Sequence, residues 1–195
     1  MVILCGLIYS THLLAMSPGE SAIDFELRDQ NDSVVKLSQF KNKYIILEWY
    51  NYDCPFVKKH YESQSMQTLQ KLYKDNDLVT WISIISSAKG KQGYLETAKD
   101  VRAKMNEVGS HADFVLRDID GKVGRAYEAR TTPHIFIIDH KFKVQYAGAI
   151  DSIPTADTAD LTKAKNYITS SMSKIMLNEK PSPQKTKPYG CSVKY

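Results

Sequence analysis

Apolar and polar residues alternate through Ala22-Ile23-Asp24-Phe25-Glu26-Leu27, and Val34-Val35-Lys36-Leu37 follows a Gln30-Asn31-Asp32-Ser33 turn. The pattern predicts an N-terminal β-hairpin. Tyr44-Ile45-Ile46-Leu47-Glu48-Trp49-Tyr50 reads as a strand, and Leu78-Val79-Thr80-Trp81-Ile82-Ser83-Ile84-Ile85 as a second, buried one. Between them a helix is predicted from about Pro55 to Lys74, with Met66, Leu69, Leu72 and Tyr73 at three- and four-residue spacing. A polar loop from Ser86 to Gly93 leads to a helix around Tyr94–Met105. Phe114-Val115-Leu116 is a short strand, and Gly121–Ala129 a short helix. Ile135-Phe136-Ile137-Ile138 is a strand opened by Thr132-Pro133, and it forms a final hairpin with Lys143–Gly148. A last helix is predicted from about Asp157 to Leu177. The order ββ, βαβα, βαββα predicts an α/β fold with a central mixed sheet and helices on both faces.

From Asn178 the chain turns to Pro181, Ser182, Pro183, Gln184, Lys185, Thr186, Lys187 and Pro188, the composition of an extended tail. It ends in Tyr189-Gly190-Cys191-Ser192-Val193-Lys194-Tyr195, whose cysteine and aromatic residues suggest that the end of the chain docks. Three segments follow: a hydrophobic leader over 1–16, one domain over 17–177 and the tail over 178–195. The leader, with Val2-Ile3-Leu4-Cys5-Gly6-Leu7-Ile8 and Leu13-Leu14-Ala15, has the apolar core of a secretory signal, although no Lys or Arg precedes it. It predicts export, to the periplasm in a bacterium, with a cytoplasmic protein as the alternative; it is too interrupted for a stable membrane span.

At 195 residues with 43% hydrophobic and 25% charged residues, the composition is globular and the length suits one domain. The net charge of +4 is spread among acids, so no nucleic-acid footprint is visible. Removal of the leader would take Cys5 and leave Cys54 and Cys191, enough for one bridge.

Cys54 carries the chemistry. It stands where the strand ending at Tyr50 passes through Asn51-Tyr52-Asp53 into Cys54-Pro55-Phe56-Val57 and a helix. A helix start offers unpaired N–H groups and the positive end of the helix dipole, both favouring a thiolate. Such sites lower a cysteine pKa from ~8.5 to roughly 3.5–7.5. Pro55 suits the first helical turn, and Lys58 and Lys59 add positive charge. A buried structural cysteine is the alternative reading.

The strand, the Cys-Pro at a helix start and the later Thr-Pro opening a strand resemble the thioredoxin superfamily. Ala22-Ile23-Asp24-Phe25, the Asp118-Ile119-Asp120-Gly121-Lys122 turn and Thr132-Pro133-His134-Ile135-Phe136-Ile137-Ile138-Asp139 are similar to its redoxin branch, the alkyl hydroperoxide reductase/thiol-specific antioxidant family, over about Pro18 to Leu177. The resemblance implies a thioredoxin-like fold, Cys54 as nucleophile and Pro133 as the cis-proline beside it. It also makes Glu48 the match of a buried acid that passes protons to and from thiols; a partly exposed strand residue is the alternative.

The departures are as informative. Val57 stands where a thioredoxin has its second cysteine, so a resolving thiol must come from elsewhere. Leu47 and Asn51 stand where a peroxiredoxin has its proline and threonine. Cys191 is the candidate resolver: it lies thirteen positions beyond Asn178, a reach of at most ~45 Å at about 3.3–3.6 Å per position. The rival is a static Cys54–Cys191 staple, worth perhaps ~5 kcal/mol.

The expected activity is thiol–disulfide exchange by Cys54 with Cys191 resolving. Pro55, Phe56, Thr132 and Pro133 would contact substrate, the backbone beside the proline pairing with an extended chain. Partners would be protein or small thiols and disulfides, peroxides in the alternative of a peroxiredoxin-like peroxidase, and a thioredoxin-like reductant. No cofactor is implied. A non-catalytic binding or metal-delivery module is the third reading; Cys54, Cys191, His60 and His134 are its soft ligand types, without a supporting spacing. His60 lies about 240° round an ideal helix from Cys54. Arg130 reads as a solvated arginine, and Lys89-Gly90-Lys91-Gln92-Gly93 as a flexible loop beside the site.

Overall fold

A computed structural model describes residues 16–195. The leader expected over 1–16 therefore lies, apart from a buried Met16, outside the described residues. In chain order the strands are β1 (Glu26–Arg28), β2 (Val34–Lys36), β3 (Tyr44–Trp49), β4 (Val79–Ile85), β5 (Phe114–Arg117), β6 (Thr131–Thr132), β7 (His134–Ile138), β8 (Val144–Gly148) and β9 (Cys191–Ser192). The helices are α1 (Pro55–Glu62), α2 (Ser65–Lys74), α3 (Ala98–Val108), α4 (Lys122–Ala126) and α5 (Tyr167–Ile175).

Seven strands form one mixed sheet in the order β2-β1-β5-β4-β3-β7-β8. The β3–β4 and β4–β5 pairs are parallel, and the remaining pairs are antiparallel. β3 lies between β4 and β7 and is buried along its whole length. Its residues alternate between two cores: Tyr44 and Ile46 pack with α1, α2, α3 and α5, while Ile45, Leu47 and Trp49 pack with α4 and the N-terminal hairpin. Each fully buried isoleucine contributes ~1.5–3 kcal/mol. The strand thus delivers the chain rigidly to Asn51 and Cys54. Among the described residues no helix is long and apolar enough to cross a membrane.

Two expectations need correction. The helix predicted over Pro55–Lys74 is two helices, broken where Gln64 takes a left-handed φ of 63°. Tyr61 and Met66 are five positions apart, about 140° round an ideal helix, so one straight helix would not point both into the core. The Tyr61 carbonyl accepts from Gln64 N at 3.1 Å and from Gln67 Nε2 at 2.9 Å, which ties the start of α2 to the end of α1. The helix predicted over Asp157–Leu177 is a 3-10 turn at Thr158–Thr162 followed by α5. Asp157 accepts from Ala159 N and Asn166 from Thr169 N, so each piece has its own cap.

The tail is extended, as its composition predicts, and its backbone docks on the domain. Thr186 and Gln184 bond to Ala147 on the outer strand β8, and the Thr186 hydroxyl accepts from Ala149 N at 2.8 Å. Farther on, Val193 N donates to the Arg130 carbonyl, the Lys194 carbonyl accepts from Ala88 N, and the Tyr195 hydroxyl donates to the Ala129 carbonyl. An unpaired sheet edge and a row of backbone groups at its end offer partners that a polar, proline-rich segment can use without a large apolar face.

Candidate active site

Cys54 is the N-cap of α1, its φ and ψ of −74° and 124° being extended, and Pro55 follows in the first turn. Its carbonyl accepts from Val57 N and Lys58 N, so the helix starts at the cysteine. The approach is fixed by Asn51, whose Oδ1 accepts from Asp53 N at 3.0 Å and whose Nδ2 donates to the Gln92 carbonyl at 3.3 Å. Gln92 Nε2 returns a bond to the Asp53 carbonyl, so the Lys89–Gly93 loop braces the turn before the cysteine.

Cys54 is fully buried. Its thiol donates to the Thr132 carbonyl at 3.0 Å, and the Thr132–Pro133 peptide is cis. Thr131 and Thr132 form β6, which pairs not with the main sheet but with β9: Thr132 faces Cys191 and Thr131 faces Ser192. Gly190 makes this approach possible. Its φ is +129°, and a Cβ there would lie 2.1 Å from the Thr132 oxygen. Cys54, Thr132, Pro133 and Cys191 therefore meet, with both cysteines free thiols. Phe56 stands beside them, its ring 5.8 Å from that of Tyr189, while Pro55 is exposed.

The two sulfurs share their hydrogen bonding unequally. Burial pushes the Cys54 thiol up, but the Cys191 side chain and backbone N–H bond to its sulfur and, with the Val57 N–H, leave it below its ordinary value. The Thr132 carbonyl works in the other sense, because it accepts only from the protonated thiol. Cys191 is pushed up to about 11, first by burial and then by bonding to Cys54. Cys54 ionises first, and Cys191 keeps its proton as a donor.

Glu48 is fully buried in a hydrogen-bond network of its own. Its carboxylate accepts from Trp81 Nε1 at 3.0 Å, Ser83 Oγ at 2.8 Å and the Tyr61 hydroxyl at 3.2 Å. Burial pushes it up to about 7 against the effect of these donors. None of the hydrogen bonds described joins it to either cysteine. Arg130 is exposed and pairs with Glu128. Lys59 does not add free charge at the thiol, because its ammonium is buried against Asp151 at 3.0 Å. His60 lies 3.5 Å from the same carboxylate, and His134 Nδ1 accepts from Arg130 N. Among the described residues no group of three or more His, Cys, Asp or Glu side chains is placed to hold a metal ion. Sequence reasoning missed Asp151 and Tyr189; the only signal was Tyr189-Gly190 immediately before Cys191.

A strand leading to a cysteine N-cap, with a cis-proline loop against its sulfur, defines a thioredoxin-like protein. Solved structures share this fold. A hypothetical protein from Sinorhizobium meliloti is 23% identical with a TM-score of 0.73, over 93% of this chain and 96% of that one. An uncharacterized conserved protein from Geobacillus kaustophilus is 25% identical with a TM-score of 0.74, over 92% and 93%. The thioredoxin domain of a thiol-disulfide oxidoreductase from Bacteroides vulgatus is 18% identical with a TM-score of 0.55, over 76% and 97%. No curated protein matches the chain. The AhpC/TSA family model matches residues 18–147, and the chain belongs to the AhpC/TSA family. It is a thiol-dependent oxidoreductase.

Proposed function

We propose that the protein exchanges thiols and disulfides, with Cys54 as nucleophile and Cys191 as the resolving thiol. The observation that carries this reading is the β6–β9 ladder, which sets Cys191 opposite the residue whose carbonyl touches Cys54. The Cys54 thiolate attacks one sulfur of a substrate disulfide, forming a mixed disulfide and expelling the other sulfur as a thiolate that takes up a proton. Cys191 then loses its proton and attacks Cys54 Sγ. The Cys54–Cys191 bond forms, and the second substrate sulfur leaves as a thiolate. The substrate has gained two electrons and the protein dithiol has lost them. An external dithiol restores the reduced protein by the reverse exchange, and the same steps run backwards oxidise a substrate dithiol.

Substrate binding falls to Pro55, Phe56, Thr132 and Pro133. β6 has backbone groups that pair with an extended chain, and in the dithiol form the tail pairs with them. An extended protein substrate therefore takes this edge when the tail lifts, and the returning tail brings Cys191 and displaces the product. Glu48, with a pKa of about 7, is a carboxyl suited to taking or giving a proton at neutral pH. Its network through Tyr61 links β3 to the helix that Cys54 starts.

Asn51 favours exchange over peroxide reduction. Its buried amide is engaged at both ends, Oδ1 by Asp53 N and Nδ2 by the Gln92 carbonyl, and so serves to brace the turn before the cysteine. Export to an oxidising compartment suits a protein whose two cysteines cycle through a disulfide. The reading is tested by turnover of a protein disulfide with an external dithiol: wild type reduces it and Cys54→Ser does not. Equal turnover by the two refutes it.

A further inference from the structure

A fully buried ion pair plays no part in the exchange of two thiols. The Lys59 and Asp151 side chains are 0% and 1% exposed. Asp151 Oδ2 accepts from Lys59 Nζ at 3.0 Å, and Oδ1 accepts from Ile153 N at 2.9 Å and from the Tyr189 hydroxyl at 2.6 Å. Lys59 Nζ also donates to the Ile153 carbonyl at 3.0 Å and lies 5.7 Å from the Tyr189 ring centroid. His60, 3.5 Å from Oδ2, is pushed down to about 4 by burial and is a neutral neighbour near pH 7.

A buried ion pair is a poor way to gain stability, since apolar residues of similar volume often do as well or better; its attested use is to fix one arrangement among several. The position of this pair says which arrangement. Lys59 lies on α1, five residues after Cys54, and Tyr189 lies in the tail, two residues before Cys191. The Asp151 carboxylate therefore joins the two segments that carry the thiols. The bond from Ile153 N holds it in place, and the Tyr189 hydroxyl makes the tail's side-chain hydrogen bond to it.

We propose that Lys59, Asp151 and Tyr189 form a buried latch that positions the tail so that Cys191 stands over Cys54, with the Tyr189 hydroxyl as its bolt. The proposal rests on Cys191 acting as the resolving thiol. The Tyr189 hydroxyl bonds to Asp151 and to neither sulfur, so Tyr189 is a positioning residue. Without its hydroxyl the tail keeps the ring contact with Phe56 and the β6–β9 ladder but loses a bond to a buried charge. The effective concentration of Cys191 at Cys54 then falls about ten- to a hundredfold.

The test uses the full chain in glutathione redox buffers. It follows the Cys54–Cys191 bond at equilibrium and the rate at which a Cys54–glutathione mixed disulfide closes, in wild type and Tyr189→Phe. The same substitution in a Cys191→Ala background measures the first attack alone. The double variant Lys59→Met/Asp151→Leu replaces the buried charges by apolar side chains. The latch predicts closure at least tenfold slower in Tyr189→Phe, with a first attack that is not slowed, and slow closure in the double variant although it melts no lower than wild type. Closure at the wild-type rate in Tyr189→Phe overturns the latch while leaving the resolving role intact. A wild-type protein that never forms the Cys54–Cys191 bond overturns the resolving role and the latch together.

Discussion

Cys191 faces Thr132 across a two-residue antiparallel ladder, and the Thr132 carbonyl oxygen lies 3.0 Å from Cys54 Sγ. One short strand thus serves as the wall of the Cys54 site and the seat of Cys191. Because Cys54 is fully buried in this state, its access to a substrate and its contact with Cys191 are governed by the same segment of tail.

The seat depends on Gly190. A methyl group there would lie 2.1 Å from the Thr132 oxygen, at a φ of +129° that other residues rarely adopt. Gly190→Ala should displace β9 and slow formation of the Cys54–Cys191 bond by about tenfold or more, a cost of about 1.4 kcal/mol. Hydrogen exchange at Val193 N, which donates to the Arg130 carbonyl, should accelerate with it. Unchanged exchange and closure in the variant would show that the ladder does not hold the tail.

The ionisation of Cys54 should report the presence of Cys191. Burial raises the Cys54 thiol, and the Cys191 side chain and backbone lower it. Cys191→Ala removes the side-chain donor, so the Cys54 pKa should rise. Thiolate absorbance against pH measures it, and a pKa unmoved by the substitution would mean that the helix start alone sets the nucleophile.

Glu48 carries a pH signature of its own. Its carboxyl titrates near 4.5 when unfolded and about 7 in the fold, chiefly through burial. Between those values the folded protein holds the extra proton, so stability is full below pH 4.5, falls as pH rises and levels off above 7. The loss is on the order of 3 kcal/mol at about 1.4 kcal/mol per pKa unit. Urea unfolding of Glu48→Gln should lack this component when its difference from wild type is followed across that range. A difference that is independent of pH would place the Glu48 titration outside it.

The fold was largely legible because its strands are strong local signals. The alternation before Arg28 and the apolar runs at Tyr44–Tyr50 and Leu78–Ile85 fall within or close to β1, β3 and β4. Cys54 was legible at a helix start because the strand, turn and Pro55 surround it in sequence. What escaped depends on partners far along the chain. Lys59 reads as one more surface lysine until Asp151, 92 positions away, is brought to it. Leu72 reads as part of an apolar stripe but is 60% exposed, because it lies about 240° round α2 from Met66, off the face that Met66, Leu69 and Tyr73 bury. The tail's composition gave no periodicity to predict its path, since backbone pairing at β8 and β6 directs it. The resemblance matches Glu48 to a buried acid, but its neighbours in sequence show only a lone acid in a strand, and the convergence of Trp81, Ser83 and Tyr61 explains its burial.

Peroxide and disulfide substrates should separate clearly. With Asn51 held by Asp53 N and the Gln92 carbonyl, hydrogen peroxide should oxidise Cys54 at about the rate of an ordinary thiolate of the same pKa, while a protein disulfide is reduced much faster. Stopped-flow kinetics with both oxidants decides it. A peroxide rate orders of magnitude above that of free thiolate would move the protein to the peroxidases.

The central claim is tested most directly by mass spectrometry of the thiol state of the full chain after exposure to oxidised glutathione, in wild type and Cys191→Ala. The mechanism predicts a reversible Cys54–Cys191 bond in wild type and a glutathione mixed disulfide trapped on Cys54 in the variant. Cys54 left unmodified in both proteins would contradict it.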